Sequence, residues 1–314
     1  MYFAVDRALL QSNVDLNFDV YLQMNENYVL YAKKGQNYST NLNDKLKEKG
    51  VQKIYIEEKH KHEYEKYINN NFSVLLSNDD ISIETRSEVF YNVAVDTIND
   101  LLDRTMLKVN SKDVHSLYNL TKVSINLLKQ ENAMKNIGCL FSHDHKTYLH
   151  CLRVYVLLLA LMNNYNFDEE ERIWSGVGAM LHDMGKLKIP TTILNKPGRL
   201  NDEEWKYIKH HPVLGLGCCS QVKLSQEAVN SILFHHEKCD GSGYPVGLAK
   251  KDIPLPVRML TVCDVYDAIT SHRPYASRES SQQALRIMES EMSNSLDMNI
   301  FDDLTNLVVT AELN

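Results

Sequence analysis

The segment VRMLTVCDVYDAIT (257–270) carries two carboxylates, Asp264 and Asp267, among positions that otherwise mark a buried helix. A carboxylate in such surroundings is expensive unless it is paired or bound to a metal. The same conflict recurs along the chain. WSGVGAMLHDMGK (174–186) ends in adjacent His182 and Asp183, and HCLRVYVLLLAL (150–161) opens on His150. His235-His236-Glu237 closes another apolar helix, and His210-His211-Pro212 sits at a helix break. Taken singly, each of these residues is better explained by a satisfied core or surface role than by ligation. Taken together, five helices present a His or Asp at an end or on a core-facing stripe, and such ends can converge in a bundle core. Imidazole beside carboxylate suits Zn, Mn or Fe.

The distribution of residue types agrees. All seven prolines lie between Pro190 and Pro274, and nine of the twelve histidines lie between His143 and His272. At 314 residues the chain is long enough for two modest domains. Its net charge is −7 and it has no basic block, so nothing in its charge favours duplex nucleic acid. The six cysteines form no CxxC pair and no disulfide framework and are expected to be reduced. MYFAVDRALLQSNVD has no signal-peptide pattern, and the most apolar run, Val154 to Met162, is far short of a membrane span. The expectation is a cytoplasmic protein that does not insert into membranes.

The periodicity predicts a mostly α protein. Residues 1–80 read as a small α/β module, with strands at Val20–Leu22, Tyr28–Ala32 and Gln52–Glu57, a helix over Leu42–Lys49 closed by Gly50, and a charged helix over Lys59–Ile68. NNNFSVLLSNDD reads as a polar-rimmed connection. Residues 81–140 carry helical apolar stripes and form a linking or packing region, compatible with a homodimer. Residues 141–314 read as an all-α bundle with Asp168, Asn201 and Ser225 as helix N-caps. Phosphate loops of the GxxxxGK[ST] or GxGxxG type are absent.

The pieces HDMGKLKIP (182–190), ILNKPGRLNDEE (193–204), HHPVLG (210–215), HHEKCDGSGYPVGL (235–248) and IPLPVRMLTVCDVYDAITSHRPY (253–275), with HCLRV (150–154) upstream, resemble the HD-GYP family of metal-dependent cyclic di-GMP phosphodiesterases. The resemblance covers about residues 140–312 and implies an all-α HD-GYP-type bundle. It implies two divalent ions, iron or manganese, with Asp183 bridging them. His150, His182 and Asp264 would complete one site, and His211, His235 and His236 the other. A hydroxide held between the ions would attack phosphorus. Lys186 would neutralise the phosphate oxygens, Arg273 would face a substrate phosphate, and Tyr244 would either contact substrate or pack structurally. Gly241 and Gly243 would permit the loop's backbone, and Glu237 and Asp240 would orient that loop.

The chain departs from the family pattern in places. Lys238-Cys239 stands where Arg-Trp is common, and Ala276 stands where a basic residue often follows RPY. Lys146 stands where three-metal members carry Glu, which favours two metals. The implied reaction is hydrolysis of cyclic di-GMP to linear pGpG, and on to GMP. The alternative is a weakly active or inactive cyclic-dinucleotide sensor or protein-interaction module with a retained metal centre, and the missing basic residue at Ala276 is its main support. Signalling-protein partners are compatible with either.

Overall fold

The computed structural model describes residues 1–102, 108–130, 132–142, 149–271 and 279–311. It divides into two compact units, Met1–Val93 and Ala94–Asn314. Among the described residues no helix is long and apolar enough to cross a membrane. All six cysteines are free.

The first unit contains strands β1 (Tyr2–Asp6), β2 (Val14–Asp15), β3 (Val20–Met24), β4 (Asn27–Ala32), β5 (Asn37–Tyr38) and β6 (Lys53–Glu57), with helices α1 (Thr40–Glu48) and α2 (Lys61–Leu76). Four strands form an antiparallel sheet in the order β1-β6-β3-β4, and β2 pairs with β5. In β6 the alternation of KIYIE buries Ile54 and Ile56, and Leu16, Phe18 and Leu46 are likewise fully buried in this unit. Tyr2, Tyr21, Tyr28 and Tyr55 form an aromatic cluster across four strands, with Tyr2 and Tyr28 stacked at 4.1 Å. Gly50 follows α1 with φ +67°, as a closing residue in the left-handed region should.

Two local expectations fail here. Strand β1 gives little signal in YFAVD and forms because residues 53–57 pair with it from across the sequence. Helix α2 does not stop at Ile68 but runs through NNNFSVLL, because Leu75 and Leu76 are fully buried at its end. Tertiary burial overrides the weak helix preference of the three asparagines.

Helix α3 (Ile83–Leu102) contains the division between the units. The second unit then holds α4 (Ser111–Leu127), α5 (Ala133–Ser142), α6 (Leu149–Leu161), α7 (Glu169–Leu181), α8 (Thr191–Leu194), α9 (Asp202–Lys209), α10 (His211–Cys218), α11 (Gln226–Phe234), α12 (Leu255–Thr270), α13 (Ser281–Met292) and α14 (Met298–Thr310). Asp168 and Asn201 each make a reciprocal capping box, with Glu171 and Glu204, and Ser225 Oγ caps α11. Among the described residues this unit has no strand, only a single bridge between Asp240 and Ala249. The structure is therefore a mostly α chain with a small mixed unit ahead of an all-α bundle.

Helix α6 is buried nearly all round and packs against α7 and α12. Helix α7 also packs on α4 and α11, and α10 packs on a tight turn, Met184–Lys188. This arrangement brings the ends of α7 and α11 and the starts of α6 and α10 to one region, beside the middle of α12.

Close approach between α7 and α11 depends on Gly178, whose added Cβ would lie 2.5 Å from Ser231 Cβ. Gly178→Ala is therefore expected to destabilise the bundle by about 1 kcal/mol despite the better helix propensity of alanine. Gly217, in α10, has open space around its Cα, and Gly217→Ala should instead stabilise by roughly 0.5–1 kcal/mol. Thermal unfolding of the two variants checks the opposite signs.

Candidate metal centre

A helix leaves its last carbonyls without partners, and three histidines at helix junctions use them. His182 follows the last residue of α7, and its Nδ1 lies 2.6 Å from Ala179 O. His235 follows α11, and its Nδ1 lies 3.0 Å from Ile232 O. His211 opens α10 one residue beyond the end of α9, and its Nδ1 lies 2.7 Å from Ile208 O. In each case a ring donating from Nδ1 to a carbonyl keeps its lone pair on Nε2, aimed at the centre. His150 is oriented differently. Its Nδ1 lies 2.7 Å from Asp267 Oδ2, and Arg153 (2.6 Å) and Ser271 (2.9 Å) donate to the same carboxylate.

Asp183 lies among these rings. Its Oδ1 is 3.4 Å from His211 Nε2 and 3.7 Å from His235 Nε2. Its Oδ2 is 3.5 Å from His150 Nε2, 3.6 Å from His182 Nε2 and 2.5 Å from Lys186 Nζ. Asp264 places Oδ1 3.0 Å from His150 Nε2 and Oδ2 3.8 Å from His236 Nδ1. Two donor sets result, His150/His182/Asp264 and Asp183/His211/His235/His236, each with its donor atoms within 4.8 Å of one another.

The donor chemistry fits cations. His150 Nε2, His182 Nε2 and Asp183 Oδ1 are buried and make no hydrogen bond despite these close approaches. Buried polar atoms without partners are costly, and a divalent ion in each set would satisfy them. Burial holds the His182 imidazole below its ordinary value and His235 well below, and it pushes His236 down to about 3, so all three rings are neutral at pH 7 with lone pairs to offer. Burial raises Asp183 and Asp264, but it is outweighed by Lys186 and the imidazoles at Asp183 and by His150 at Asp264, so both carboxyls stay well below the usual range. At His150 burial is outweighed by Asp183, Asp264 and Asp267, which hold a proton on the ring well above the ordinary value.

The GSGYP loop is fastened to this centre by Glu237, which is 1% exposed. Its carboxylate accepts from the backbone N–H groups of Val246, Gly247 and Leu248. Gly241 has φ +77°, the conformational need expected of it. Gly243 has a different reason: a Cβ there would lie 2.5 Å from Glu237 Cα. Asp240 accepts from Ser242 and holds the loop's turn. The Tyr244 ring lies 4.8 Å from that of His236. Gly185 permits α10 to approach, since a Cβ there would meet His211 O at 1.9 Å.

All seven residues proposed from the sequence as ligands thus meet in one place, with Lys186 and Tyr244 beside them. Lys186 is bound to Asp183. His210 is exposed and lies outside both donor sets. Arg273 lies outside the described residues, as do His143, His145, Lys146, His272 and Ala276. The supporting roles of Asp267 and Arg153 were not anticipated. The signal was present in a second carboxylate three residues after Asp264 and in the arginine of HCLRV.

Fold and centre together define a helical bundle built around buried imidazoles and carboxylates. Residues 114–300 match the family model of the HD domain, and the chain belongs to the HD domain family. Over 183 residues it is 40% identical to a cyclic di-GMP phosphodiesterase of Pseudomonas aeruginosa, a match covering 57% of this chain and 44% of that protein. Over 139 residues it is 41% identical to a cyclic di-GMP phosphodiesterase response regulator of Xanthomonas campestris, covering 44% and 36%. Over 152 residues it is 33% identical to a 3'3'-cGAMP-specific phosphodiesterase of Vibrio cholerae, covering 48% and 33%. The matches span less than half the length of these curated relatives. The fold is that of a solved HDG"Y"P protein of Bdellovibrio bacteriovorus, with a TM-score of 0.67 at 19% identity over 98% of this chain and 100% of that one.

Asp267→Asn should lower metal affinity by roughly 10–100-fold by loosening the orientation of His150, as read by metal titration with the fold monitored by circular dichroism. Metal uptake should also release the proton held on His150, so apparent affinity should rise with pH across neutrality. Calorimetry in buffers of different ionisation enthalpy measures that release.

Proposed function

We propose that this chain is a metal-dependent phosphodiesterase that hydrolyses cyclic di-GMP to linear pGpG, and pGpG on to GMP, in the cytoplasm. The observation that carries the proposal is Asp183, with each carboxylate oxygen facing a separate set of imidazoles. His150, His182 and Asp264 would hold one ion on the Oδ2 side, and His211, His235 and His236 the other on the Oδ1 side. Bound there, two iron or manganese ions would supply Lewis acidity at the phosphoryl oxygens and a nucleophile at neutral pH.

The chain's own residues do the rest. Lys186 brings an ammonium to the Asp183 carboxylate, from which it can neutralise a non-bridging phosphate oxygen. Tyr244 covers His236 and walls the substrate side of the centre. Glu237 keeps that wall in place. Arg273 supplies a second positive charge to the substrate phosphates. No serine or cysteine nucleophile is needed, and burial pushes the Cys151 thiol next to His150 up to about 12, too high for it to serve as one. Relatives named for cyclic di-GMP match this chain at 33–41% identity and those named for 3'3'-cGAMP at 32–34%.

The test is incubation of protein purified with its metal retained, under reducing conditions, with cyclic di-GMP. Linear pGpG is expected, and Asp183→Asn should lose turnover by more than about 100-fold together with its metal. Wild-type protein that binds metal and dinucleotide without turnover would establish a sensor instead. Fewer than two ions per chain in a well-loaded sample would overturn the ligand scheme.

A further inference from the structure

Helix α9 holds two side chains with no role in the hydrolytic centre. Trp205 and Lys209 are four residues apart and share a face. The indole is 44% exposed. The Lys209 ammonium stands 6.0 Å from the centre of the Trp205 ring and 5.7 Å from that of Tyr244. The two rings are 6.5 Å apart and nearly perpendicular. Tyr244 in turn lies 4.8 Å from His236. A row therefore runs outward from the candidate metal centre: imidazole, phenol, ammonium, indole.

Folding does not account for this row. Helix α9 is already fixed by its capping box and by Lys196, which pairs with Glu204. Lys206 pairs with Glu203, one turn before Lys209. Among the described residues Lys209 has no carboxylate partner. Its two ring contacts lie at the outer limit of useful cation–π range, about 6 Å, so the ammonium is held weakly. An exposed aromatic face beside a weakly held cation is the combination that binds nucleotides, the ring stacking a base and the cation meeting a phosphate.

We infer that Trp205 and Lys209 form a purine-nucleotide subsite of the metal centre. The exposed indole face stacks one base of the cyclic dinucleotide, and Lys209 pairs with the phosphate that is not being hydrolysed. Tyr244 separates this subsite from the metal ligands and sets its distance from them. Both residues act as positioning residues. The identity of the ligand rests on the phosphodiesterase reading, while the stacking geometry does not.

The experiment uses the full chain loaded with manganese. Trp174→Phe leaves Trp205 as the one remaining tryptophan of two, so its emission reports stacking. Titration with a hydrolysis-resistant phosphorothioate analogue of cyclic di-GMP should quench that emission. Lys209→Glu should weaken the titration by about 10-fold or more, and Lys206→Ala should leave it unchanged. In turnover, Trp205→Ala and Lys209→Ala should each raise KM for cyclic di-GMP by about 10-fold with kcat within about 2-fold, and Trp205→Phe should restore KM. Absence of quenching, or an unchanged KM in both alanine variants, overturns the subsite. Hydrolysis with KM unchanged in those variants overturns the subsite and keeps the phosphodiesterase. Lys209-dependent quenching without hydrolysis keeps the subsite and overturns the phosphodiesterase.

Discussion

The second unit is organised around one buried carboxylate. Asp183 sits on the turn after α7 with imidazoles on both sides and a single lysine at hand. Burial disfavours that charge and Lys186 with the imidazoles offsets the cost, while the buried, unpartnered Nε2 atoms of His150 and His182 would be satisfied by a divalent ion. The arrangement makes sense as half of a larger unit whose other half is metal. Nearly every special feature of the bundle follows from bringing five helices to this point. Gly185 lets α10 close on the turn, and the short Met184–Lys188 turn directs Asp183 inward.

The histidines are held economically. His182, His211 and His235 each rest Nδ1 against a carbonyl that a helix end would otherwise leave unpaired. One contact thereby satisfies the helix terminus, fixes the tautomer and aims Nε2. His150 lies near the start of its helix, and its Nδ1 rests against Asp267 instead. Asp267 in turn needs Arg153 and Ser271, so α6 and α12 are tied together by the same group that orients a donor. Packing and chemistry are coupled at that position.

Around the centre, rigidity is built from backbone. Glu237 spends its carboxylate on three successive N–H groups of the GSGYP loop, and Thr261 donates to the carbonyl of His235. Both contacts fix the strip that carries His235, His236 and Tyr244. The rim beyond it is open: Trp205 and Lys209 present apolar surface and charge that the bundle does not consume.

Much of this was legible in the sequence. The apolar stripes marked α6, α7 and α12, and the caps at Asp168, Asn201 and Ser225 follow from local chemistry that does not depend on the fold. The ionisable residues inside apolar segments marked the candidates, because an unpaired charge in a core has few alternatives, and the resemblance to the HD-GYP family selected from them the seven side chains that meet. What remained hidden depended on partners distant in sequence. Strand β1 exists through residues 53–57, and α2 is extended by the burial of Leu75 and Leu76. Gly243 is required by contact with Glu237, not by its dihedral angles. Asp267 was visible as a carboxylate but not as the partner of His150, 117 residues away. The sequence by itself determined which groups must not be left alone in the core. Only the tertiary structure decided which atoms satisfy them, because hydrogen bonds and close approaches are set by distances in space that local pattern does not encode.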